Sequence, residues 1–131
     1  MWEESLDNEG WYEIKGMGGR YFVSSFGRVL SLCFDGYKLL RPFVCGDGYY
    51  YVDLRKDGKD YKCRINRLVA EAFIENPNGK PIVHHKDLNR KNNSASNLQW
   101  VTEAEHTAIH NKIRAKKKKE KLFTANENLL S

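Results

Sequence analysis

The stretch Pro81–His110, PIVHHKDLNRKNNSASNLQWVTEAEHTAIH, decides how the rest of the chain is read. All four histidines of the protein fall inside it, as the adjacent pair His84 and His85 and as His106 and His110. Ile82 to His85 has the composition of a strand, Asp87 to Asn97 is polar and turn-rich, and Leu98 to Val101 reads as a second strand. Thr102-Glu103-Ala104-Glu105 then forms a capping box, which predicts a helix from Thr102 to about Lys119. The expected unit is strand, long loop, strand, helix.

The histidines of this unit are not equivalent. His106 and His110, four residues apart on a helix, share one face beside Ile109 and Ile113. That spacing offers two imidazoles to one metal ion, although two hydrogen-bonded histidines at a core edge would show the same pattern. His84 and His85 are neighbours in a strand, so their side chains leave on opposite faces. One can bind a metal while the other keeps its lone pair to accept a proton, a division that suits hydrolysis. The plainer alternative has one histidine packed inward and the other on the surface. Taken as a set on two facing elements, the four favour a metal-dependent hydrolytic site.

Outward from this segment, charge points to a polyanion. The net charge is +5, but the first thirteen residues hold five acids and no base, so the remainder carries +10. A basic body of that kind fits nucleic acid, while Lys116 to Lys119 reads equally as a solvated helix end or a phosphate contact. Cys33, Cys45 and Cys63 are widely spaced with no C-x-x-C pair, which argues against a zinc knuckle and for free thiols in a reducing compartment. The acidic amino terminus does not resemble a secretory signal, and no apolar run has the length to span a bilayer. The expectation is therefore no membrane role and a cytoplasmic location.

Upstream, residues 11–41 are broken by glycines, with Tyr21-Phe22-Val23 and Arg28-Val29-Leu30 as β-prone pieces of a small sheet or hairpin. Gly48 to Arg55 and Asp60 to Ile65 read as two strands joined by a tight turn at Asp57-Gly58. Asn66 is positioned to cap a short helix, Arg67 to Ile74, with Leu68, Ala72 and Phe73 facing inward and Asn76-Pro77 ending it.

The residues HHKDLNRKNN, NLQWVT and the following EH resemble the HNH endonuclease motif, the ββα-metal nuclease unit. The spacing carries the likeness: His85 to Asn97 is 12 residues and His85 to His106 is 21. With the RINRLVAEAFI helix and the NPNGKP turn the resemblance covers residues 64–110. A second likeness lies upstream, where Trp11, Ile14, Gly16, Tyr21, Val23-Ser24, Gly27-Arg28-Val29 and Ser31 resemble a DNA-contacting motif found ahead of HNH domains in homing endonucleases. The implied fold is α+β, small N-terminal antiparallel strands followed by the ββα-metal unit. The implied division is an acidic extension at residues 1–10, the DNA-contacting motif at 11–41, the nuclease domain at 42–115 and a basic tail at 116–131.

The resemblance also implies roles. His85 is the general base, Asn97 the catalytic brace whose amide holds the loop, and His84 and His106 the ligands of one divalent metal ion. His110 departs from homing-type members. If it joins the other two, three imidazoles favour Zn²⁺ or Ni²⁺ (also Mn²⁺ or Co²⁺), and if it points away, Mg²⁺ or Mn²⁺ is expected. Asn92 and Asn93 are expected to tie the loop together. Lys86, Arg90 and Lys91 beside the base, with Arg20, Arg28 and Arg41 upstream, would bind DNA phosphates. The implied reaction is hydrolysis of double-stranded DNA to 5′-phosphate and 3′-hydroxyl ends. The alternatives are a DNA-binding module with a structural or vestigial metal site, and a ribonuclease or toxin sharing the motif. Only the lysine-rich tail follows the motif, so the expectation is low specificity, or reliance on a homodimer or a protein partner.

Overall fold

A computed structural model describes residues 5–130, and the side chains of residues 5–119. Glu3 and Glu4 of the expected acidic extension, and Ser131, lie outside the described residues. Four short strands, β1 (Trp11–Glu13), β2 (Tyr21–Ser24), β3 (Val29–Cys33) and β4 (Gly36–Leu39), form an antiparallel sheet in chain order. The hairpin read from the sequence is β2 and β3, in register through Val23 and Val29. Strands β1 and β4 flank it and were not anticipated, being short pieces without alternating hydrophobicity.

The turn between β2 and β3 is held by buried Ser24, whose Oγ accepts the N–H of Phe26 at 3.1 Å and of Arg28 at 3.0 Å. Gly27 completes it with a φ of 86°, a left-handed backbone that only glycine adopts without cost.

A second sheet contains β5 (Phe43–Val44), β6 (Tyr50–Lys56) and β7 (Lys59–Arg64). Asp57 and Gly58 join β6 to β7 with positive φ at both positions, as the tight hairpin turn requires. Helix α1 (Ile65–Phe73) follows β7 without a loop. Its cap position is Arg64, extended and with no side-chain cap bond, rather than the expected Asn66. Asn66 already belongs to the first turn, buried, its Oδ1 accepting the Arg67 N–H at 2.8 Å. The helix stops at Phe73, one residue before the expected Ile74, and Asn76-Pro77 lead into a turn in which the Asn76 amide bonds both the N–H and the C=O of Lys80 at 2.8 Å.

Helix α1 gathers the core. Ile65, Leu68, Val69 and Ala70 pack with Val23 and Val29 from the first sheet, Val52 and Leu54 from the second, and Val83 and Leu98 from beyond the helix. Of the residues expected to face inward, Leu68 is buried, while Ala72 and Phe73 are only partly so. Each fully buried aliphatic side chain contributes about 1.5–3 kcal/mol, so this shared core ties the segments together.

Strands β8 (Ile82–His85) and β9 (Leu98–Val101) pair antiparallel, with His84 opposite Gln99 and His85 opposite Leu98. Helix α2 (Glu103–Leu130) completes a ββα unit, giving the α+β architecture expected from the sequence. The capping box is present: Thr102 Oγ1 accepts the Glu105 N–H at 3.1 Å, and Glu105 Oε1 accepts the Thr102 N–H at 3.4 Å. The backbone of α2 continues past Lys119, so Lys116 to Lys119 lie within the helix rather than at its end. Among the described residues no helix is long and apolar enough to cross a membrane.

One acid of the expected extension is part of the fold. Glu9 pairs with Arg28, whose Nε donates to Glu9 Oε2 at 2.8 Å and whose Nη2 donates to Oε1. Burial alone would raise the Glu9 carboxyl, but the bonds from Arg28, the Leu6 N–H and Ser24 outweigh it and hold it at about 2. A carboxyl lowered in the folded state stabilises the protein above its unfolded value near 4.5, and that contribution fades as pH falls towards 2. Urea melts of the wild type and Glu9→Gln should therefore differ by about 1–3 kcal/mol at neutral pH. The difference should vanish near pH 2, and a constant difference across that window would contradict the pairing.

Candidate metal centre and active-site cleft

The pleat of β8 sends its two histidines to different neighbourhoods. His84 faces α2, where its ring centre lies 5.8 Å from that of His106 and 6.3 Å from that of His110. His106 and His110, one helical turn apart, bring their Nε2 atoms to 3.1 Å. One nitrogen from each of the three lies within 4.8 Å of the other two. Two imidazole nitrogens bound to a common metal at about 2.0–2.1 Å stand roughly 3–3.5 Å apart. The His106–His110 pair has that spacing, and His84 lies close enough to complete the set around one divalent ion. His110 thus joins the group rather than pointing away.

The electrostatics agree with that use. Burial holds His84 below the ordinary imidazole range, and the neighbouring His106, His110 and His85 push it the same way. A neutral ring is the form that binds metal. Among the described residues the group contains three nitrogen donors and no carboxylate, a donor set that suits Zn²⁺, Ni²⁺, Co²⁺ or Mn²⁺ better than oxygen-seeking Mg²⁺. A closed structural zinc shell takes four protein ligands, whereas three leave a position open.

His85 leaves on the other face and is also buried. Its Nε2 lies 2.9 Å from Asn93 Oδ1, and its ring lies 5.9 Å from that of Tyr49. A cleft of about 180 Å³ opens between the two histidine environments, lined by His84, His85, His110, Tyr49, Arg90 and Lys117.

The loop between β8 and β9 is organised by Asn97. Its Oδ1 accepts the Asp87 N–H at 3.1 Å, and its Nδ2 donates to Asp87 Oδ1 and to the Asn92 carbonyl, each at 2.9 Å. The Asn97 carbonyl accepts the Lys86 N–H at 2.8 Å. Asn92 also donates to Asp87 at 2.8 Å. Hydrogen bonds from Asn92, the Asn89 backbone and Asn97 hold the Asp87 carboxyl below the usual carboxylate range. Both ends of the loop are thereby fastened next to His85.

The basic residues divide. Lys86, Arg90 and Lys91 are exposed on the loop, and Arg20 and Arg41 are exposed upstream. Arg28 is engaged by Glu9 instead, its side chain only 26% accessible. Arg90 is fixed by a 2.6 Å bond from Nη1 to the Asp47 carbonyl, with its guanidinium 4.9 Å from the Tyr49 ring centre. The Arg64 guanidinium lies 4.3 Å from the same ring and bonds Asp47 Oδ2 at 3.0 Å. Hydrogen bonds from Tyr51, Tyr49 and Arg64 lower the Asp47 carboxyl. Tyr49, Asp47 and Arg64 were not anticipated, because the first two lie in the turn before β6 and the third ends β7, and nothing in their local sequence joins them to the histidines.

Comparison with known proteins adds two family matches. Residues 65–108 match the HNH endonuclease family, and residues 9–55 match the NUMOD4 motif. The chain is 41% identical over 93 residues to the DNA endonuclease I-HmuI of Bacillus phage SP01, covering 71% of this chain and 52% of that protein. It is 38% identical over 96 residues to an uncharacterised HNH endonuclease, L245, of Acanthamoeba polyphaga mimivirus, covering 73% of this chain and 28% of that one. It is 33% identical over 88 residues to H-N-H endonuclease F-TflII of Escherichia phage T5, covering 66% and 45%. The chain therefore spans about half or less of these relatives. A solved structure of the HNH homing endonuclease I-HmuI, described as showing DNA binding and cleavage, superimposes with a TM-score of 0.68 at 37% identity, over 81% of this chain and 59% of that one.

Replacing Asn97 by Ala removes three side-chain bonds at once and leaves the Asp87 N–H without its partner. The expected cost is about 2–4 kcal/mol, read as a lowered urea midpoint with unchanged slope. A loss below about 0.5 kcal/mol, the range of an ordinary surface substitution, would show that Asn97 does not hold the loop.

Proposed function

The chain belongs to the HNH endonuclease family, and on that footing we propose that it is a metal-dependent endonuclease hydrolysing double-stranded DNA to 5′-phosphate and 3′-hydroxyl ends. The observation that carries the reading is the division at β8, with His84 in a three-imidazole cluster and His85 on the opposite face, both lining one cleft. His84, His106 and His110 would hold one divalent ion. When bound, such an ion supplies positive charge to the scissile phosphate and to the departing 3′ oxygen.

His85 acts as the general base. Its unprotonated ring nitrogen accepts a proton from the attacking water, and the oxygen then attacks phosphorus in line with the leaving group. Asn97 keeps the loop folded around His85. Arg90, pinned against Tyr49 at the cleft edge, is aligned for a neighbouring phosphate, with Lys86 and Lys91 beside it. Arg20 and Arg41 extend the footprint through residues 11–41, while Arg28 supports that segment through Glu9. The nitrogen-only donor set favours Zn²⁺, Ni²⁺, Co²⁺ or Mn²⁺ over Mg²⁺. The phage and giant-virus sources of the relatives support action in a host cytoplasm. A second copy of the chain, or another protein, is the proposed route to site selection.

The rival reading, a DNA-binding module with a structural metal, is less well supported because among the described residues the cluster holds three ligands rather than four and opens into a cleft. His85→Ala should lower plasmid cleavage roughly 10²–10⁴-fold while leaving DNA affinity unchanged, by single-turnover assay and gel shift. Cleavage surviving that change would remove His85 as the base. Across a panel of metals, the wild type should be more active with Mn²⁺, Co²⁺, Ni²⁺ or Zn²⁺ than with Mg²⁺. His110→Ala should shift the preference towards Mg²⁺, and a profile indifferent to His110 would remove it from the ligand set.

A further inference from the structure

The carbonyl oxygen of the Asn93 amide faces His85 Nε2 at 2.9 Å, in a contact between two buried side chains. An amide oxygen can only accept a hydrogen bond. With the amide oxygen on that side, the facing ring nitrogen is the donor and the lone pair is left on Nδ1. Asn93 is in turn backed by the first sheet. A Cβ added at Gly27 would meet Asn93 Cβ at 2.9 Å and the Asn93 carbonyl oxygen at 3.2 Å. Beside this contact, the Ser25 carbonyl accepts the Ala95 N–H at 2.7 Å. The turn between β2 and β3 thus presses on the loop at the residue that touches the His85 ring, 66 positions further along the chain.

We propose that Asn93 is a positioning residue that locks His85 in the Nε2–H tautomer with Nδ1 free to accept a proton, and that the Ser25–Gly27 turn holds Asn93 in place. The inference rests on His85 being the general base. It gives residues 9–55 a second task beside any contact with DNA, that of completing the catalytic centre from behind. Gly27 is required twice over, by its left-handed backbone and by the absence of space for a side chain. A base presenting the wrong nitrogen is a severe defect, since general-base catalysis is worth roughly 10²–10⁴-fold.

The test begins with the His85 ring itself, read by two-bond ¹H–¹⁵N spectra of the chain loaded with diamagnetic Zn²⁺ at about pH 8, where an ordinary imidazole is neutral. The wild type should show the Nε2–H tautomer. Asn93→Ala should turn it into a mixture and lower the single-turnover rate roughly 10²-fold with DNA affinity unchanged. Asn93→Asp, which keeps an acceptor oxygen in place, should retain the Nε2–H tautomer and thereby guards against a folding defect in the alanine variant. Gly27→Ala should disturb the His85 signals. Gly58→Ala, at a φ of 75° with nothing within 4 Å of its would-be Cβ, imposes similar backbone strain and should leave them alone. An Nδ1–H wild type, an alanine variant with wild-type His85 signals, or equal effects of the two glycine changes would overturn the proposal. Those outcomes are separate from failure of the base assignment, which appears as cleavage surviving in His85→Ala whatever the tautomer.

Discussion

Consecutive side chains of a β-strand leave on opposite faces, and at His84 and His85 that constraint gives two adjacent imidazoles different surroundings, the helix for one and the loop for the other. The division holds only while β8 keeps its register. A slip of one residue would turn His85 towards α2 and His84 into the loop. Register is set by the antiparallel pairing with β9 and by Val83 and Leu98, both buried in the shared core. The core is therefore more than ballast, because it decides which imidazole faces the helix and which faces the loop.

The two faces are then completed by different parts of the chain. On one, the capping box at Thr102 sets where α2 begins, and with it the rotational phase that turns His106 and His110 towards His84. A helix begun one residue later would place the same histidines about 100° away. On the other face the polar loop supplies Asn93 for the ring and Asn97 for its own closure. The first sheet leans on that loop through Gly27, and the turn before β6 contributes Tyr49 and the backbone that pins Arg90. Three sheets and two helices meet around a few side chains, which is how a chain of 131 residues can build a buried site.

What could be read from the sequence was whatever depends on short separations. The i,i+4 histidines, the capping box, the strand alternation at β8 and the turn at Asp57-Gly58 are local rules, and the structure contains all four elements. The likeness to HNH nucleases rested on spacing within one segment, and the family match over residues 65–108 agrees with it. Elements of two to four residues, such as β1, β4 and β5, lack the length for a periodic signal and form because a neighbouring strand or the core receives them. Asn66 had the right type for a helix cap, but direct entry from β7 moved the cap to Arg64. Arg28 has the charge expected for DNA contact and also pairs with Glu9, from a segment that read as a detached acidic extension. The contacts of Tyr49 and of Asn93 with His85, and that of Gly27 with Asn93, are the least legible, since they follow from how separate elements pack.

The central claim is that His84 and His85, adjacent in the chain, do separate work: one belongs to a three-imidazole metal centre with His106 and His110, and the other does not. Titration with Co²⁺, followed by its visible absorption, tests this directly across the four single alanine variants. The account predicts that His84→Ala, His106→Ala and His110→Ala each weaken Co²⁺ binding by tenfold or more, about 1.4 kcal/mol, while His85→Ala binds one ion as the wild type does. Loss of Co²⁺ binding in His85→Ala, or wild-type binding in any of the other three, would contradict it.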